Sequence, residues 1–394
     1  MKNAVLLSSL YELSGPVEGT FEVFFRNLSA GLNMDSAKLG WEAHAVPKAE
    51  PRSRPAGVKG IFDAPASLGR GVRASLAGLQ KRLDAKAVVD SYAKKLSGNS
   101  GVITGAEIVH AHDPFAVLAF QQVRDLNKAA KLCFTPGLLS DLVSCGDARP
   151  WLKEMEAEAL ALASFLVVPS REYFTAIDGA YGPLKKPYVV LPGLDDEKYL
   201  RSGVLRQKLG VPEEALLICA FYNPGSEAAA EFFMDACAVA RTMVPGRIFG
   251  AVSGVSTPEL EKKVGSLGLE SFFKLIEPAV GRGELLAEAD IFFSSLACRL
   301  QTLDLGAIEA LRAGLAVVAS DDCWNAEAAG YGEAAMLFKA GDPASAGRAL
   351  ADIAQHPAAL IHFSSKARDY FRAQYTLGAF AARAAKAYED MLGS

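Results

Sequence analysis

The sequence predicts an α/β protein made of two doubly wound, parallel-sheet domains of the Rossmann type. Three observations lead there. Short apolar runs alternate with stretches of helical periodicity along almost the whole chain. Those runs are unbroken and rich in Val, Ile and Leu, the pattern of strands covered on both faces by helices. The alternation ends near residue 195 and then starts again, and 394 residues suffice for two such domains.

Taken in order, the first set of strands is "NAVLLSSL" (3–10), "EAHAVP" (42–47), "EIVHAH" (107–112), "KLCFTP" (131–136), "FLVVPS" (165–170) and "YVVLPG" (188–193). Helical patterns at 22–40 and 151–163 lie between them. A polar join follows at 193–205, "GLDDEKYLRSGVL". The second set is "ALLICAFY" (215–222), "GRIFGAVS" (246–253), "FFKLIEP" (272–278), "ADIFFSS" (289–295), "LAVVAS" (315–320) and "AAMLFK" (334–339). Helices are expected at 226–242, 257–267, 282–288, 303–313 and 343–355. The expected domains are 1–195 and 196–375, with a final helical stretch in 376–394 that crosses back onto the first. In such sheets ligands sit outside the C-terminal ends of the strands. Function is therefore expected in the loops 11–20, 112–116, 135–141, 222–227, 253–256, 294–306 and 320–327.

Composition narrows the function classes. The chain is 51% hydrophobic and 22% charged with a formal net charge of −4, so nothing global points to nucleic acid. Its six cysteines include no CxxC pair, which argues against structural zinc and against a disulfide framework. No apolar run approaches the roughly 20 residues that span a bilayer. The opening "MKNAVLLSSLYELSG" reads as a first buried strand rather than a signal peptide, and the expected compartment is the cytoplasm.

Two loops carry chemistry of their own. In "GPVEGTFEVFFRNL", Gly15 and Gly19 bracket the turn between a strand and a long helix. Glycines there let backbone N–H groups approach an anion, and a plain turn is the alternative. In "QTLDLGAIEALRAG" (301–314) a helix starts just ahead of a buried strand.

Several pieces, in order, resemble the GT-B-fold retaining glycosyltransferases of the glycogen-synthase-like group 1 (family 4-like) family. "GPVEGTFEVFFRNLSAGLNMDSAKLGWEAHAV" resembles the family's Gly-Gly loop, first helix and second strand. "AEIVHAHDPFAVLA" resembles its D-V-V-H-x-H strand end, "EAEALALASFLVVPSREY" its element ending in a serine, and "VVLPGLDDEKYL" its P-n-G-v-D segment without the Asn. "GELLAEADIFFSSLACRLQTLDLGAIEALRAGLAVVASD" resembles the segment holding two glutamates eight positions apart.

The resemblance implies two domains facing across a cleft, a nucleotide-sugar donor on the second and an acceptor on the first, and no metal or other cofactor. It places Glu309 on the nucleotide ribose and puts Gln301 where the family has its first glutamate. A Gln amide still bonds a sugar hydroxyl but carries no charge to offset one developing at the sugar carbon. Gly306 is what remains of the family's glycine-rich phosphate turn, and Asp304 adds a carboxylate there. Repulsion between that charge and a phosphate about 5 Å away would be about 1 kcal/mol or more. The family's Arg/Lys pair after the first strand of the second domain has no counterpart in "CAFYNPGSEAAAEFF" (219–233). Arg299 and Arg282 either take over that role or are ordinary surface arginines. Thr135 stands where the family has a histidine beside the reacting sugar. His112 either lines the cleft or caps its strand.

Between Lys48 and Lys95 eleven Lys/Arg face four Asp/Glu. This is either a solvated basic face or a surface for peripheral contact with anionic membrane. The expected partners are thus a nucleotide-sugar and a glycan or lipid-linked acceptor. A catalytically inactive relative that binds a glycan or a partner protein is the alternative function.

Overall fold

A computed structural model describes residues 2–7, 41–46, 85–137, 150–222, 226–276, 281–295 and 304–394. The Gly15–Gly19 loop, the helix expected at 22–40, residues 48–84 of the basic segment, Arg299 and Gln301 lie outside the described residues.

The chain divides into two compact units. The first takes Met1–Pro169, Phe174–Pro192 and Phe380–Ser394; the second takes Ser170–Tyr173 and Gly193–Ala379. In the first, strands β1 (Lys2–Leu7), β2 (Trp41–Val46), β3 (Ile108–Ala111), β4 (Lys131–Phe134), β5 (Phe165–Val168) and β6 (Tyr188–Val189) pair in the order β2-β1-β3-β4-β5-β6, all parallel. The register runs Ala4 beside Ile108 and Ile108 beside Lys131. Val5, Leu6, Leu7, Ile108 and Val109 are wholly buried, as a strand sandwiched between helical layers requires. Strand β6 is short because Pro187 and Pro192 flank it and a proline cannot donate to the ladder.

Helix α1 covers 85–98, followed by α2 (Ser100–Thr104), α3 (Pro114–Gln122), α4 (Pro150–Leu162) and α5 (Arg171–Tyr181). Helix α1 buries Ala85, Val89, Tyr92, Ala93 and Leu96, one apolar stripe at helical spacing, and leaves Lys86 and Lys94 in solvent. Asp113 caps α3, its carboxylate accepting from Ala116 N at 2.8 Å.

The second unit contains α6 (Val204–Leu209), β7 (Leu216–Phe221), α7 (Glu227–Met243), β8 (Ile248–Ser253), α8 (Pro258–Ser266), β9 (Phe273–Ile276), α9 (Arg282–Glu288), β10 (Ile291–Ser294), α10 (Leu305–Ala313), β11 (Ala316–Ser320), α11 (Cys323–Ala328), β12 (Ala335–Phe338), α12 (Pro343–Gln355) and α13 (Pro357–Gln374). The last helix, α14 (Leu377–Gly393), runs on into the residues grouped with the first unit. The second sheet is also parallel, in the order β12-β11-β10-β7-β8-β9. Counted within the unit, that is the 3-2-1-4-5-6 arrangement of doubly wound nucleotide-binding folds read from its far edge.

Its core is aromatic. Phe293 on β10 stacks on Phe338 at 5.2 Å and on Phe233 of α7 at 4.7 Å between ring centroids. Helices α7 and α12 meet closely at Gly347, where a Cβ would lie 2.6 Å from Val239 Cβ. The polar join is fixed to this unit by Glu288, which is 1% exposed. Its carboxylate accepts from Ser202 N, Gly203 N and Ser202 Oγ at 2.7–2.8 Å. Burial opposes the charge, yet these bonds hold the carboxyl below its ordinary value.

Candidate functional site

Strand order in the second unit reverses between β7 and β10, so their C-terminal ends form the crevice where doubly wound sheets bind ligands. The residues at that point are Phe221 and Tyr222 from β7, and Ser294 and Ser295 from β10. Tyr222 Oη and Ser295 Oγ lie 2.9 Å apart and clip the two strand ends together. Burial pushes the Tyr222 phenol well up, so it stays neutral. Gly254 closes the floor at φ +104°, and a Cβ there would sit 2.1 Å from the Tyr222 carbonyl oxygen.

Helix α10 begins at this crevice. Gly306 lies against Phe292 and Phe221, whose rings tilt together at 5.5 Å; a Cβ at 306 would come within 2.9 Å of Phe292 Cζ. One turn on, Glu309 is half-buried, its side chain 22% exposed. Its Oε2 lies 3.8 Å from Arg282 Nη1 and makes no hydrogen bond among the described residues. Arg282 in turn lies over the Phe221 ring, 4.9 Å from its centroid. Burial raises the Glu309 carboxyl above its ordinary value, opposed by Arg282 and Arg312 and reinforced by Asp304. Arg312 is held by Tyr199 Oη and the Asp195 carbonyl.

Asp304, just ahead of α10, turns inward. It is 9% exposed and its Oδ2 lies 2.6 Å from Ser294 Oγ. From the sequence its carboxyl is expected close to a donor's diphosphate, and in the structure that carboxyl also meets Ser294 of β10. Behind Ser294 stands Asn325 of α11, with Ser320 and Asp322 beyond it.

In the first unit the strand order reverses between β1 and β3. His112, just past β3, is fixed by its backbone N–H to Leu7 O at 2.9 Å and is buried. Its ring stacks on His110 at 4.2 Å. His110 bridges Thr135 Oγ1, 2.8 Å from Nε2, and Tyr388 Oη, 2.7 Å from Nδ1. Burial pulls the His110 imidazole down to about 3, so it is neutral and donates through only one of its nitrogens. Burial and the neighbouring His110 lower His112 as well.

The expected residues thus fall into two groups. Arg282, Gly306 and Glu309 come together at the second unit's switch point, and His112 and Thr135 come together through His110 in the first. Gly15, Gly19, Arg299 and Gln301 lie outside the described residues. Tyr222, Ser294 and Ser295 carry a positional signal, since they end strands. Tyr388 carries none, because its partner His110 is far away in sequence, and the meeting of Asn325 with Ser294 is hidden for the same reason. Among the described residues no group of three or more His, Cys, Asp or Glu stands where it could hold a metal ion.

Residues 213–356 match the family model of the group 1 glycosyl transferases. No curated protein matches the chain. Among solved structures, sucrose-phosphate synthase from Thermosynechococcus elongatus superposes with a TM-score of 0.68 at 14% identity, covering 100% of both chains. Anabaena HepE, solved in complex with UDP and glucose, gives 0.67 at 16% identity over 99% of this chain and 100% of that one. A glycosyltransferase from Rickettsia africae gives 0.66 at 12% identity over 99% and 98%. The fold is GT-B, two parallel-sheet α/β domains.

Proposed function

We propose that this protein is a glycosyltransferase that takes a sugar from a nucleotide-sugar bound by the second unit and transfers it, with retention, to a glycan or lipid-linked acceptor bound by the first. The observation that carries the reading is Glu309: a half-buried carboxylate with an unbonded oxygen, one turn into a helix that starts at the switch point. The family match over 213–356 and a fold shared with HepE, which was solved with UDP, support it.

In this reading the positive end of the α10 dipole favours the diphosphate, while the Gly306 and Ala307 amides bond the Asp304 carboxyl ahead of it. Glu309 accepts hydrogen bonds from the ribose hydroxyls. Arg282, with Arg299, supplies the cation that stabilises the departing diphosphate. Gln301 binds a donor sugar hydroxyl. The Gly15–Gly19 loop, His112 and Thr135 act on the acceptor side. No metal is assigned a role. The basic 48–95 segment holds the protein against anionic membrane; no helix among the described residues is long and apolar enough to cross one.

Calorimetry against UDP, GDP and ADP tests the donor assignment. One of them binds in the micromolar to millimolar range, and Glu309→Ala weakens it about tenfold, the worth of a lost charge-assisted bond pair. No binding by any, or an unchanged affinity in the variant, refutes it. Sedimentation with anionic liposomes tests the membrane contact: the native chain pellets, and replacing Lys81, Arg82, Lys94 and Lys95 abolishes pelleting. A native chain that stays in the supernatant ends that part of the reading.

A further inference from the structure

The polar groups behind α10 do not all close with the charges a carboxylate would bring. Ser294 Oγ has one hydrogen and two neighbours, Asp304 Oδ2 at 2.6 Å and Asn325 Oδ1 at 3.0 Å. The Asn325 amide has its orientation fixed on the other side. Its Nδ2 donates to Ser320 Oγ at 2.7 Å and to Asp322 Oδ1 at 2.8 Å, while Ser320 Oγ donates to the same Asp322 oxygen at 2.6 Å. Turned over, Asn325 would set an amide oxygen against that carboxylate. The amide oxygen of Asn325 therefore faces Ser294 and needs the serine's only hydrogen. Asn325 is wholly buried, and among the described residues no other donor reaches that oxygen. The hydrogen in the short Asp304–Ser294 contact then has one remaining source, which is Asp304 itself.

We propose that Asp304 is a protonated acid donating to Ser294 Oγ, and that this proton makes the turn ahead of α10 acceptable to a diphosphate. The second half rests on the donor reading above; the first does not. With the proton in place every group in the chain Asp304–Ser294–Asn325–Ser320–Asp322 is satisfied and Asp304 sets no negative charge against the incoming phosphates. Without it Ser294 must turn to Asp304, Asn325 Oδ1 is left buried and unbonded, and a carboxylate stands at the mouth of the phosphate site. Among the described residues, the charged and titratable groups around Asp304 are Arg282 on α9, Glu309 on α10, Tyr222 after β7, and Asp322 behind Asn325. Burial is the largest influence and raises its carboxyl; Ser294, the Ala307 and Gly306 amides and Arg282 pull the other way.

The sign of the pH effect follows. A carboxyl raised in the folded state adds stability that is complete below its unfolded value of 3.8 and is lost as pH rises through the folded one. Asp304→Asn mimics the protonated form, since an amide NH₂ donates where the acid O–H did. Thermal unfolding of the two proteins from about pH 4 to about pH 8 is the ligand-free arm. The variant matches the native chain at the acid end and becomes progressively the more stable as pH rises. A variant that is less stable by a constant margin at every pH overturns the protonated acid. Calorimetry with UDP is the second arm, and the nucleotide's own titration cancels in the comparison. Native affinity falls roughly tenfold relative to the variant over the same pH span. A constant ratio overturns the phosphate coupling. Absence of UDP binding by both proteins, with the stability curves diverging as described, fells the donor reading and upholds the proton. Should Asp304→Asn not fold, Ser294→Ala decides: removing the proton's acceptor shifts the pH of native stability loss downward, and an unmoved profile overturns the assignment.

Discussion

At residue 306 there is no room for a side chain. A Cβ would meet Phe292 Cζ at 2.9 Å and Asp304 Oδ1 at 3.0 Å, one a ring packed on Phe221 and the other a group held by Ser294. Gly306→Ala therefore costs about 1–3 kcal/mol, read as a lower urea midpoint, because neither neighbour can retreat cheaply. Gly254 is tighter still: a methyl meets the Tyr222 carbonyl at 2.1 Å and the backbone is left-handed there. Gly254→Ala should destabilise the second unit by about 3 kcal/mol or more and separate Tyr222 from Ser295. An unchanged midpoint in either variant would contradict the packing described. At this scale the sequence was partly legible. Glu309, Gly306 and Arg282 stand out against a family pattern. The direction Asp304 faces does not, because it depends on Ser294 and Asn325, ten and twenty-one residues further off in opposite directions.

Among the elements, β3 carries the most chemistry in the first unit. Its residue His110 ties Thr135 after β4 to Tyr388 on α14. Tyr388→Phe leaves one nitrogen of a buried imidazole without its partner and should cost about 1–3 kcal/mol in denaturant unfolding. His110 also predicts a pH dependence opposite in sign to that of Asp304. Its folded-state value of about 3 lies below the ordinary 6.5, so stability is complete above 6.5 and is lost as pH falls toward 3. The loss is roughly 1.4 kcal/mol per pH unit for this group, read in chemical unfolding of the first unit. A profile flat across that range would show that His110 titrates in the fold. Strands were the legible elements: doubly covered β-strands are written as unbroken apolar runs, so all twelve were expected within a few residues of where they lie. Helix α13 was not. Of its 18 residues only Ala367 and Phe371 are buried, and Ile361 is 70% exposed, so it shows no clear apolar stripe.

For the whole molecule, each unit has its own sheet, and after the long Gly193–Ala379 stretch of the second the chain returns to the first through Phe380–Ser394. Those residues include the buried Phe380, Tyr388 and Met391. Removing 380–394 should therefore raise amide exchange in β3 and β4 and leave β10 and β11 unchanged; equal exchange in both sheets would contradict the division. The restart of the strand pattern made two units legible, but the grouping of Ser170–Tyr173 with the second was not, since the helix that starts at Arg171 continues into the first. The account as a whole turns on where a nucleoside diphosphate binds. Hydrogen exchange with and without UDP reads that position directly. Slowed exchange at the amides of Gly306 to Glu309 and around Tyr222 and Ser295, with β3 and β4 unaffected, is the predicted result. Protection confined to the first unit, or none under saturating UDP, would contradict it.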